Sequence, residues 1–267
     1  MVLGYDEPRP KEENYFDFLD KFANGLENLG NKDISLMIYG SFVRGDVDFG
    51  RSDIDAILTL PNDVVTDKRI IAQISKIIAL SQEGNNIPFQ TSLVDLRTMN
   101  DGRFNSYDPN FKSYFNEEGR ILFGKDYRDG FNFELVSHSD QTALRFNLRR
   151  ARIGLLTSER VIKKDYPKFL EEFNQTLNSV SRGSKQILGM IDGNLRLNRF
   201  SALEEISQVF PEVDITPIKK IKYLYKNLKE LDALYNNYSE LIKVWEDSVT
   251  FFEQMIKAYL DANPRSQ

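Results

Sequence analysis

Cysteine is absent from the 267 residues, so disulfides, thiolate metal sites and a cysteine nucleophile are all excluded. Long apolar runs are missing too: none reaches the ~18 residues that suggest a membrane span. The opening Met1-Val-Leu-Gly-Tyr-Asp-Glu-Pro lacks the basic and apolar regions of a signal peptide. Together these point to a cytoplasmic protein without a membrane partner. An excess of positive charge is also lacking. Net charge is −5, and bulk attraction to nucleic acid or an anionic membrane is therefore not expected, although local patches remain open. No internal repeat and no low-complexity segment interrupts the chain. Against these absences stand 41% hydrophobic and 28% charged residues, the balance of a soluble globular protein, in a chain long enough for two domains.

The most informative stretch runs from Ile34 to Leu60. An apolar run, Ile34-Ser-Leu-Met-Ile-Tyr39, breaks at Gly40-Ser41-Phe42-Val43-Arg44-Gly45, and the polar segment that follows ends at Ser52-Asp53-Ile54-Asp55-Ala56-Ile57-Leu58. The spacing predicts a strand, a Gly-Ser turn and a second strand. Alternation along that second strand sends Asp53 and Asp55 to one face and Ile54, Ala56 and Leu58 to the other. Two carboxylates on one face suit a hard cation, with Mg2+ the natural choice. Backbone amides at Gly40 and Ser41, with the Ser41 hydroxyl, can cradle phosphate oxygens, because glycine lets the backbone approach closely. Arg44 adds a planar, permanently charged phosphate partner. Pro88-Phe-Gln-Thr-Ser-Leu-Val-Asp95-Leu-Arg-Thr-Met reads as a further strand whose Asp95 offers a third carboxylate, or a solvated edge residue.

Gly40-Ser41, Asp53-x-Asp55 and Asp95 resemble the three-part signature of the DNA polymerase β-type nucleotidyltransferase superfamily. The string Gly-Ser-Phe-Val-Arg-Gly-Asp…Ser-Asp-Ile-Asp is similar to the branch of the aminoglycoside and minimal nucleotidyltransferases. The resemblance covers roughly residues 35–99, with an echo at Gly119-Arg-Ile-Leu-Phe-Gly124. It implies transfer of a nucleoside monophosphate, AMP from ATP being the expected pair, to a hydroxyl with release of pyrophosphate. It further implies two Mg2+ ions, or Mn2+, bridged by Asp53 and Asp55. Asp95 would ligate the second ion or take the acceptor's proton. Gly40, Ser41, Arg44 and Ser52 would then bind the nucleotide. The implied acceptor is a small hydroxylated molecule, an aminoglycoside being one candidate. A protein or RNA-end acceptor, or a nucleotide-binding regulator, is the alternative.

Around this unit the periodicity predicts an α+β domain over residues 1–130 with a mixed sheet. Its helices are expected at 13–29, 66–81 and 111–118, and a last strand at 120–123. An Asn-, Asp- and Gly-rich loop is expected over 100–110, and residues 1–12 read as a loose arm. Residues 126–138 read as a linker to an α-helical bundle over 139–267, with helices near 139–157, 166–190, 201–209, 217–236 and 239–262.

In the helical half, Arg145, Arg149 and Arg152 fall on one helical face, with Arg150, Arg160, Lys163, Lys164 and Lys168 nearby and only Glu159 and Asp165 opposing them. Such a stripe is either a solvated, salt-bridged face or a wall turned to the triphosphate or an acidic acceptor. Ser181-Arg182-Gly183-Ser184-Lys185 interrupts a helical pattern, and Lys185 matches by position a helical-domain residue that reaches the nucleotide phosphates in proteins the chain resembles. His138 is the only histidine and reads as structural. Helical partners of minimal nucleotidyltransferases can be ribonucleases carrying Arg-x4–6-His, and no arginine stands at that spacing before His138, which disfavours that activity.

Overall fold

The structure, a computed structural model, describes residues 9–265 apart from 86, 136–138, 165, 195, 197 and 228. His138, Asp165 and most of the expected N-terminal arm therefore lie outside the described residues. The first half runs α1 (Glu12–Asn28), β1 (Ser35–Tyr39), α2 (Ser41–Arg44), β2 (Ile54–Leu60), α3 (Lys68–Ser81), β3 (Phe89–Asp95), α4 (Leu96–Asp101), α5 (Phe111–Glu117) and β4 (Arg120–Phe123). The strands form one mixed sheet in the order β3-β2-β1-β4. The pairs β1/β2 and β1/β4 are antiparallel, while β2/β3 is parallel, the pairing that requires a crossover, which α3 supplies.

Alternation gives the sheet two unlike faces. Ile54, Ala56, Leu58 and Leu60 of β2 join Leu36 and Ile38 in a core closed by α1 and α3. The other face carries Met37, Tyr39, Ile57 and Val94 under Met99, Tyr107, Phe115 and Phe131. Asp55 shares that second face and stands at its end.

The second half is helical: α6 (Ser139–Leu156), α7 (Ser158–Lys164), α8 (Tyr166–Asp192), α9 (Arg199–Val209), α10 (Thr216–Lys226), α11 (Lys229–Tyr235) and α12 (Tyr238–Ala262). Helices α6, α8 and α12 pack on one another around Trp245, whose ring centre lies 5.1 Å from that of Phe173 and whose indole donates to Thr176 Oγ1 at 3.1 Å. Helix α3 also packs against α6 and α7, so the first core continues into the bundle without a break.

Three expectations change. The strand expected to run on past Asp95 ends there, because Asp95 accepts the Thr98 N–H at 2.8 Å and so caps α4. The Gly-Ser turn opens into the single helical turn α2, stopped by Gly45 at φ 82. The helix expected over 217–236 is two helices that part around Asn227.

Candidate active site

The site is built where β1 and β2 run side by side. After Tyr39 the chain turns at Gly40, with φ 81 and ψ −156, a conformation that side chains resist. A Cβ at this position would lie 2.6 Å from Asp55 Oδ2, so the backbone of residue 40 lies directly on that carboxylate. Helix α2 begins here, and its first amides are those that a helix start leaves without intrahelical acceptors. The intervening loop is fixed from α1: the Tyr15 hydroxyl donates to the Ser52 carbonyl at 2.7 Å and accepts the Gly50 N–H at 3.0 Å. Ser52 Oγ accepts the Asp48 N–H at 3.0 Å. Ser52 thus shapes the loop that delivers Asp53.

Asp55 is level with Tyr39 on β1 and with Gln90 on β3. Its carboxyl is pushed up to about 6, chiefly by burial and then by the charge of Asp53, with Arg149 and Arg44 pulling the other way. Among the described residues, none donates a hydrogen bond or forms an ion pair to Asp53 or Asp55. Two like-charged carboxylates, one half-buried and neither partnered, are an oxygen donor set that a divalent cation would relieve. The pair therefore fits the metal that the resemblance implies.

Arg44 is shared. Its Nη1 donates to Glu118 Oε2 at 2.9 Å and its Nε lies 3.3 Å from Asp46, yet its charge still reaches Asp55. The basic stripe divides. Arg145 donates to the carbonyls of Gly102, Arg103 and Glu134. Arg152 is buried between Asp95 and Glu253, at 2.8 Å from each. Of these three arginines Arg149 turns to the site, its guanidinium 4.8 Å from the ring centre of the buried Tyr107 and within electrostatic reach of Asp55 and Tyr39. Beneath it, the hydroxyls of Tyr107, Ser92 and Tyr39 are grouped, Tyr107 and Ser92 buried and in polar contact looser than a well-formed hydrogen bond.

Asp95 is not brought to the pair. In the parallel register Asp55 faces Gln90, and Asp95 lies five residues further along β3, roughly 17 Å at the usual strand rise. It is fully buried, and both of its oxygens are engaged by Thr98 and Arg152. The expected cluster of three carboxylates is thus corrected to two: among the described residues no three acidic, histidine or cysteine side chains converge to hold a metal. Lys185 lines a separate cavity of about 510 Å³ with Asp140, Arg182, Gln186, Arg196 and Arg199, and no other expected site residue shares it. Asp140 and Arg149 stand nine residues apart on α6, hence on opposite faces at 3.6 residues per turn. The sequence reading named Arg149 only as one of a stripe and passed over Gln90, Tyr39 and Tyr107. Helical spacing carried the signal for Arg149. A strand register, which the sequence does not display, carries that for Gln90.

Residues 19–122, from within α1 to β4, match the family described as "Nucleotidyltransferase domain". No curated protein matches the chain. No helix among the described residues is long and apolar enough to cross a membrane.

Proposed function

We propose, from the premise that residues 19–122 make this chain a nucleotidyltransferase of the DNA polymerase β type, that it transfers AMP from ATP to a hydroxyl of a small-molecule acceptor. An acceptor oxygen bonds to the α-phosphorus, the bond to the β-phosphate oxygen breaks, pyrophosphate leaves and the hydroxyl proton is released. The observation that carries this reading is the unpartnered Asp53–Asp55 pair lying against the Gly40 turn. Asp53 and Asp55 would hold Mg2+, or Mn2+, which supplies neutralisation of phosphate charge when bound. Amides at the start of α2 and the Ser41 hydroxyl would grip the phosphates, while Arg149 and Arg44 offset the charge that builds on the leaving group. On this reading residues 1–130 carry the nucleotide chemistry and residues 139–267 form the half that meets the acceptor, in the cytoplasm. An aminoglycoside-like acceptor accords with the resemblance and with a net charge of −5, which attracts cations.

The cations beside the aspartate pair, Arg149 and Arg44, favour a second reading, in which the acceptor is anionic, such as an RNA end. One experiment separates the two. The protein is incubated with Mg2+ and α-phosphate-labelled ATP, GTP, CTP or UTP, an aminoglycoside panel and cell extract, and the label is followed. Label on a small molecule with pyrophosphate release supports the first reading, and label on RNA the second. Asp53→Asn should lower transfer by more than about 100-fold, since even residues behind metal ligands are worth ~10–100-fold. Full activity in that variant would refute the metal assignment.

A further inference from the structure

We infer that Gln90 fills the place of a third carboxylate, so that this site takes one divalent ion with its nucleotide, and Arg149 supplies part of the positive charge that a second ion would bring. The inference rests on the reading of Asp53 and Asp55 as ligands and goes beyond it.

The β2/β3 register sets Gln90 directly beside Asp55. Registered residues on neighbouring strands point to one face, about 4.8 Å apart, so position 90 is the place on β3 from which a side chain could share an ion with Asp55. A glutamine there is neutral. Its amide oxygen can still accept a hydrogen bond, but it brings no charge to offset the repulsion between two dications, which in paired-metal sites sit ~3.5–4 Å apart. The nearest acidic residue of β3, Asp95, is held by Arg152 and Thr98 at the far end of the strand.

The local field points the same way. Arg149 and Arg44 already act on Asp55. Arg149 donates no hydrogen bond to any described residue, and its guanidinium lies 4.8 Å from the ring centre of Tyr107. A cation within reach of Asp55 opposes a second dication and can neutralise phosphate oxygens in its stead. An ion seated jointly by Asp53, Asp55 and the nucleotide phosphates keeps its ligands. An ion that depended on β3 does not.

The test counts Mn2+ bound per full-length chain, from the electron paramagnetic resonance signal of the free ion, with one equivalent of α,β-methylene-ATP. Wild type is expected to bind one ion and Gln90→Glu two; position 90 is exposed, so the variant should fold. Two ions on wild type, or one on Gln90→Glu, would overturn the inference and leave the aspartate-pair reading standing. Equal Mn2+ affinity in wild type and Asp53→Asn would instead overturn the reading beneath it.

Discussion

At the scale of single residues, the site rests on one backbone conformation and one cation. Gly40 is required twice over: by its φ of 81, and by Asp55 Oδ2 lying where a Cβ would go. Gly40→Ala should destabilise the fold by ~1–3 kcal/mol, the usual strain of such a conformation. Because the added carbon displaces the Asp55 carboxylate, transfer should also fall about 10²-fold, the scale of an ångström-sized misplacement. Denaturant unfolding and initial rates measure the two effects separately. Arg149 makes the opposite case, since no described group depends on it for a hydrogen bond. Arg149→Ala should leave stability nearly unchanged and weaken nucleotide binding. Hydrogen bonds to charged groups are worth ~1.5–3 kcal/mol, so KM for the triphosphate should rise by about 10- to 150-fold. Lysine should restore part of the loss, because it brings the charge without the planar fork. An unchanged KM would remove Arg149 from the phosphate site.

At the scale of elements, α6 shows how one helical stripe can be spent in different ways. Arg145 ties down the chain after α4, Arg149 faces the site, and Arg152 joins the end of β3 to α12. Around Arg152 the network continues: Glu253 also takes Lys68 Nζ at 2.5 Å and the Thr66 hydroxyl at 2.8 Å. Arg152→Met would leave Asp95 buried without a counter-charge and Glu253 with Lys68 alone, which should cost about 3–5 kcal/mol. Urea unfolding of this variant beside Arg149→Met, expected to be near wild type, tests whether the two arginines differ as the packing says. Periodicity and turn residues made most of these elements legible in advance: the helices through their three- and four-residue spacing, β2 through its alternation. What was hidden depended on partners. Asp95 reads as a ligand or as a solvated edge residue until the register of β3 on β2 and its capping of α4 are known, and α10 and α11 share one apolar pattern although their backbone parts between them.

At the scale of the molecule, composition suggests two domains, yet the apolar core runs from Tyr15 of α1 through the sheet to Leu260 of α12, and α3 packs on both halves. The Asp95–Arg152–Glu253–Lys68 network crosses the same boundary. Heating should therefore give one cooperative transition seen equally by near-ultraviolet signals and calorimetry. Two separated transitions would mean that the halves unfold independently. Acid probes the same joint. Burial is the largest influence on Glu253 and pushes its carboxyl up, but Arg152 and Lys68 together outweigh it and hold it below its ordinary value of 4.5. A carboxyl held low in the folded state adds stability that is fully present above 4.5 and is lost as pH falls through the lower folded value. Stability should thus hold down to about pH 4.5 and decline below it, both halves failing together. Glu253→Gln should lower stability at neutral pH, because it strips Arg152 and Lys68 of a counter-charge, and flatten the acid limb. An acid limb as steep as that of wild type would show that the pH dependence arises elsewhere, for example at Asp101, which Arg103 also holds low.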